Sequence, residues 1–107
     1  MQDAPFTLFE PVHRSSCVVF ATPHSGRHYA PEFLAQSVLD SHAIRASEDA
    51  FVDHLFEPAV QFGAPLLVAN APRAYVDLNR ACDELDPAVI EGVKSLSVNA
   101  RIASGLG

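Results

Sequence analysis

Cys17-Val18-Val19-Phe20-Ala21, followed at once by Thr22-Pro23, is an apolar run without alternation and then a stop. A strand with one solvated face alternates apolar and polar residues, whereas an unbroken run suits a strand covered on both faces, as in a parallel sheet. Proline ends the run because it has no amide hydrogen to give to a ladder. A second run of the same kind is Pro65-Leu66-Leu67-Val68-Ala69-Asn70. Helix signals lie between the two. The strand, helix, strand order predicts an α/β fold, a three-layer α/β/α arrangement around a mostly parallel sheet.

Ser47-Glu48-Asp49-Ala50 is a helix start, with a capping hydroxyl and two carboxylates set against the helix dipole. Phe51, Val52, Leu55, Phe56, Ala59 and Val60 then recur at helical spacing, Pro58 predicts a kink or break, and Gly63 ends the segment. Pro31 opens a shorter helix to about Val38, with a connection over 40–45. Residues 1–16 read as a lead-in with an edge strand at Thr7-Leu8-Phe9, and residues 17–107 as the domain proper. Arg73 to Leu78 reads as a third strand, with Ala74, Val76 and Leu78 on one face and Arg73, Tyr75 and Asp77 on the other. Asp86-Pro87-Ala88-Val89-Ile90 is a capped helix start, and the tail over 95–105 has helical character.

Composition narrows the function. At 107 residues, 49% hydrophobic and 19% charged, the chain can fold around a core. A formal net charge of −6 repels phosphate backbones and makes nucleic acid a poor partner. No apolar run approaches the ~20 residues of a membrane span. Cys17 and Cys82 fit neither a CxxC motif nor a disulfide framework and read as buried small apolar residues in a reduced compartment. No secretory signal opens the chain, so the expected location is cytoplasmic.

The chemistry-bearing residues fall in two stretches. His24, in Ala21-Thr22-Pro23-His24-Ser25-Gly26-Arg27, stands just past a strand, where sites of open α/β sheets gather. It reads either as a zinc ligand or as a loop histidine bonded to backbone. The second stretch is Arg73-Ala74-Tyr75-Val76-Asp77-Leu78-Asn79-Arg80. Arg73 and Arg80 bracket a short segment and Asn79 adds a neutral donor, a set suited to clamping a carboxylate or stabilising an oxyanion. Asp77 reads as structural, orienting an arginine or pairing locally. HExxH, Walker and GxSxG motifs are absent, and Ser25 beside His24 does not make a triad. HxxE also fails, because Arg27 stands three places after His24. A metal would therefore take its carboxylate from Glu48 or Asp49, whose other reading is dipole complementation; Asp53, one turn on, is expected to share the face of Asp49. His28 reads as a supporting residue, and His13, His42 and His54 as ordinary.

TPHSGRHY, then SEDAFVDHLF, then FGAPLLVANAPRAYVDLNR resembles the N-formylglutamate amidohydrolase family from about Cys17 to Asp86. DLNR is also similar to a segment of the aspartoacylase and zinc carboxypeptidase group, which implies a zinc-carboxypeptidase-like, phosphorylase/hydrolase-like fold. The resemblance implies hydrolysis of N-formyl-L-glutamate, a late step of histidine degradation, with a divalent metal, most plausibly zinc. On that likeness His24 is the first ligand and Asp49, with Glu48 as its rival, the carboxylate ligand. Arg73 is implied to polarise the scissile carbonyl or bind substrate, and Asn79 and Arg80 to hold a substrate carboxylate. Another N-acyl amino acid or peptide is the alternative substrate. Family members are more than twice as long, so a third ligand and a general base are expected outside this chain, which then reads as a truncated part of the enzyme, inactive alone.

Overall fold

The computed structural model of the chain describes residues 4–88, 90–93 and 100. Three strands form its sheet: β1 (Phe6–Phe9), β2 (Phe20–Thr22) and β3 (Leu66–Ala69), in the order β1-β3-β2. The second apolar run supplies the central strand, and Leu66 is 1% exposed. β1 pairs antiparallel with β3, Phe6 opposite Ala69 and Phe9 opposite Leu66. β2 pairs parallel with β3, Phe20 opposite Leu66 and Thr22 opposite Val68. The fold is α/β, but the described sheet is mixed rather than mostly parallel, because the lead-in returns along β3 as a real edge strand.

The opening apolar run joins the sheet late. The amides of Ser15 and Ser16 both donate to the Gly63 carbonyl at 3.1 and 3.2 Å, and pairing begins where Phe20 N donates to Pro65 O at 2.9 Å. Cys17, Val18 and Val19 are left exposed. Both cysteines are exposed, against the expectation that they are buried. Gly63 ends its segment as expected, at φ 77°, where a Cβ would also strike the Ser15 hydroxyl.

Helix α1 spans Pro31–Gln36 and stops short of Val38. The 40–45 connection contains a 3-10 turn, Ala43–Arg45, started by the Asp40 carboxylate on the amides of His42 (2.9 Å) and Ala43 (2.7 Å), and it buries Ile44. Helix α2 spans Val52–Phe56 and passes into a 3-10 stretch, Glu57–Phe62, the break that Pro58 predicts. Ser47 does not cap it. Glu48 and Asp49 lie before the helix, so the dipole reading fails for both; the Asp49 amide is instead drawn to the His24 carbonyl at 2.9 Å.

The third strand does not form. Tyr75 N and Val76 N both donate to Pro72 O, at 2.9 and 3.2 Å, and residues 73–80 run as turns. Nor does Asp86 begin a helix: its carboxylate takes the Ala88 amide at 2.9 Å and its carbonyl the Ile90 amide at 3.0 Å, which closes one turn. The expected helical tail lies outside the described residues except for Ala100.

The buried apolar set is small: Ile44, Ala59, Ala64, Leu66, Val68 and Ala69. Large apolar side chains such as Phe62 (79% exposed) and Leu55 (75%) stand in solvent. Among the described residues no helix is long and apolar enough to cross a membrane.

A candidate active site around His24

Beyond β2 the chain turns sharply. The buried Ser25 hydroxyl donates to Thr22 Oγ1 at 2.8 Å and lies 3.1 Å from Thr22 O, so it closes the turn and is not placed as a nucleophile. Gly26 is needed for close approach rather than for backbone freedom: a Cβ there would lie 2.0 Å from Ala71 O. His28 N donates to Asn70 O at 3.1 Å. The histidine loop is thus laid against the exit of β3, next to the 73–80 turns.

There His24 meets Asp77. Its Nε2 lies 2.6 Å from Asp77 Oδ1, and its Nδ1 lies 3.6 Å from Asp49 Oδ2. The His24 side chain is 11% exposed, Asp77 15% and Asp49 53%, so Asp49 forms the open side. Burial pushes the Asp77 carboxyl up, but the His24 hydrogen bond, the Asn79 amide and the charges of His24 and Arg73 outweigh it, and the carboxyl sits below the usual range. An ionised Asp77 only accepts, so Nε2 carries the His24 proton. In the neutral ring Nδ1 then presents its lone pair to Asp49, too far for a good hydrogen bond.

Asp77 also gathers the two arginines. It takes Arg73 Nε at 3.0 Å on Oδ2, and Arg80 Nε lies 3.9 Å from the same oxygen. The Asn79 amide donates to Asp77 Oδ1 at 2.9 Å, while Arg80 Nη1 donates to the Asn79 carbonyl at 2.8 Å. His24, Asp49, Arg73, Asn79 and Arg80 are therefore brought together. Glu48 is turned elsewhere: its Oε2 takes the Tyr29 hydroxyl at 2.8 Å and Arg45 Nη1 at 3.1 Å. Burial first, and then the Glu48 carboxylate, push the Tyr29 phenol up to about 12.

The donor set can be tested against zinc. Nδ1 and a carboxylate oxygen bound to one tetrahedral zinc stand about 3.4 Å apart, given bond lengths of roughly 2.1 Å. The 3.6 Å between His24 Nδ1 and Asp49 Oδ2 fits. A carboxylate on the other nitrogen of a metal-binding histidine is the usual supporting partner, and Asp77 stands there. Two donors do not complete a site, and no group of three His, Cys, Asp or Glu among the described residues is disposed to hold a metal ion.

The family model for N-formylglutamate amidohydrolase matches residues 16–106. The chain belongs to the N-formylglutamate amidohydrolase family. Its fold is similar to the crystal structure of N-formylglutamate amidohydrolase from Ralstonia eutropha JMP134, with a TM-score of 0.81 and 38% identity over 97% of this chain. The chain spans 37% of the length of that relative. No curated protein matches the chain. All the site residues lie inside the family match.

Sequence reasoning singled out His24, Asp49, Arg73, Asn79 and Arg80, which the structure brings together, but gave Asp77 a local role. Its i,i+4 spacing to Arg73 and i,i+3 spacing to Arg80 were legible, and the arginine it was expected to orient is Arg73. Its bond to His24, 53 residues away, left no signal. Arg27, Tyr29 and Arg45 were also missed, and Asp53 faces Arg27 rather than joining Asp49. Two cavities of about 310 and 490 Å³ flank Asn70, and neither is lined by His24, Asp49 or Asp77.

Proposed function

We propose that the complete protein hydrolyses N-formyl-L-glutamate to formate and L-glutamate with a divalent metal, zinc by the nature of its donors, and that this chain carries part of the site. The observation that supports this most is the His24 imidazole set between Asp77 and the open Asp49 carboxylate. His24 Nδ1 and Asp49 would hold the metal. Asp49 is preferred to Glu48, whose Oε2 is turned to Tyr29 and Arg45. When bound, the metal supplies a Lewis acid and lowers the pKa of water.

The chain's own groups do the rest. Asp77 holds the His24 ring in one tautomer and keeps the guanidiniums of Arg73 and Arg80 beside it. Arg73 faces the scissile carbonyl and offsets charge developing on its oxygen. Asn79 and Arg80 take the glutamate carboxylates, which orients the formyl group. The local positive charge outweighs the net charge of −6, whose more distant contributions are screened. The same reading makes the complete fold a three-layer α/β/α arrangement like the zinc carboxypeptidases. It places the protein in a reduced, cytoplasmic setting without nucleic-acid partners, which the unpaired Cys17 and Cys82 support.

The test is zinc content with formate release from N-formyl-L-glutamate, on this chain and on a version carried to the length of its relative. Metal and turnover in the longer protein, with turnover lost in the short one, is the expected result. Turnover of other N-acyl amino acids or peptides in preference to N-formyl-L-glutamate would replace the substrate, and no turnover in either version would refute the reading. The two-donor set favours an inactive short chain.

A further inference from the structure

We propose that Arg27 is a positioning residue: standing three places after His24, it grips the turn that begins α2 and so sets Asp49 against the His24 imidazole. One guanidinium makes all the contacts. Arg27 Nη1 donates to Asp53 Oδ1 at 3.1 Å and Nη2 to Asp53 Oδ2 at 3.0 Å, a two-pronged pair. Nη2 also lies 3.0 Å from His54 Nε2, and the guanidinium carbon is 5.7 Å from the centre of the Phe51 ring. Arginine only donates, so His54 Nε2 accepts, and the His54 proton on Nδ1 goes to Glu57 Oε1 at 2.7 Å. Residues 51, 53 and 54 are thus held by a single side chain from the histidine loop.

What they hold is a strained reversal. Phe51 has φ 64° and ψ 10°, a left-handed conformation that non-glycine residues keep only when their surroundings over-determine it. The reversal lies between Asp49 and α2. On its near side the Asp49 amide is fixed to the His24 carbonyl at 2.9 Å; on its far side Asp53 is fixed to Arg27. The histidine loop therefore grips the carboxylate-bearing segment at two points. A loop with an acidic residue in place of Arg27 would offer its own ligand. This loop carries an arginine there and draws a ligand in from another segment. The inference that the arrangement serves a metal rests on the proposed function; the inference that Arg27 sets the position of Asp49 does not.

Two measurements separate these. The first is hydrogen exchange at the Asp49 amide in the unaltered chain, Arg27→Lys and Arg27→Gln. Exchange should quicken about tenfold or more in Arg27→Gln and less in Arg27→Lys, which keeps the charge but loses the fork, while the β3 amides stay unchanged. Unchanged exchange at Asp49 overturns the proposal, and Arg27→Lys decides it if Arg27→Gln does not fold. The second is zinc affinity of the version carried to the length of its relative, read by competition with a chromophoric chelator, for Arg27→Gln, Asp49→Asn and the double variant. Arg27→Gln should weaken zinc about 10–100-fold and add little once Asp49 is already asparagine. An equal loss in both backgrounds would mean that Arg27 acts through general stability and would overturn the positioning role. Absence of zinc uptake by the unaltered longer version would sink the metal reading while the exchange result still decides the role of Arg27.

Discussion

Replacing Gly26 with alanine tests how the histidine loop is seated. The added Cβ would stand 2.0 Å from Ala71 O, 2.6 Å from Ala71 C and 2.9 Å from Asn70 C, all backbone atoms, where ordinary contact begins at 3.4 Å. The wall has little room to yield. The amides of Asn70 and Ala71 are tied to Pro5 O at 2.8 and 3.3 Å, and Ala71 precedes Pro72, which restricts its backbone. The loop must therefore retreat by about 1.4 Å, enough to break the 3.1 Å bond from His28 N to Asn70 O. Overpacking of this kind costs about 1–3 kcal/mol, and the lost hydrogen bond about 0.5–1.5 kcal/mol. Against a total stability of roughly 5–15 kcal/mol, a combined loss of about 1.5–4.5 kcal/mol is severe. At about 4–8 °C per kcal/mol the melting temperature should fall by at least about 6 °C. Thermal unfolding followed by circular dichroism reads this directly, and zinc competition reads the displaced His24. A Gly26→Ala protein that melts within about 2 °C of the unaltered chain and binds zinc equally well would refute the close approach.

Other perturbations have definite signs. Burial pushes the Asp53 carboxyl up, yet the Arg27 hydrogen bond and charge leave it below the usual range. Its contribution to stability is thus complete above the unfolded carboxylate value, about 3.9, and is lost as pH falls through the lower folded value; denaturant midpoints taken down an acid series should fall less steeply in Asp53→Asn. Tyr29, pushed up to about 12, should show that high midpoint in an ultraviolet titration, and Glu48→Gln should lower it by removing the hydrogen-bonded charge. Asp77→Asn should weaken zinc about 10–100-fold by freeing the His24 ring, measured by chelator competition; unchanged affinity would contradict the supporting role given to Asp77. Cys17 and Cys82, both exposed, should react with a thiol reagent in the native protein without denaturant.

Much of the site was legible because its residues are chemically marked. A histidine past a strand, an acidic pair and a bracket of arginines around an asparagine carry donors and acceptors that local burial does not explain, and the structure brings His24, Asp49, Arg73, Asn79 and Arg80 into one neighbourhood. Two of the errors share a cause. Ser47 to Ala50 has the composition of a helix start and Arg73 to Leu78 the alternation of a strand, yet both are captured by side chains distant in sequence or by the demands of Asp77. The sequence left Glu48 as a rival to Asp49, and the fold turns one towards Tyr29 and Arg45 and the other towards His24.

The sequence by itself determined the α/β class, the buried central strand Leu66–Ala69, the break at Pro58 and the glycine end at Gly63, because these follow from local sterics and from apolar runs that must be covered. The tertiary structure alone decided the mixed sheet, the left-handed reversal at Phe51, the seating of Gly26 on Ala71 and the bond from Asp77 to His24. Each of these is a contact between segments far apart in the chain, and its energy depends on a distance that no local pattern encodes.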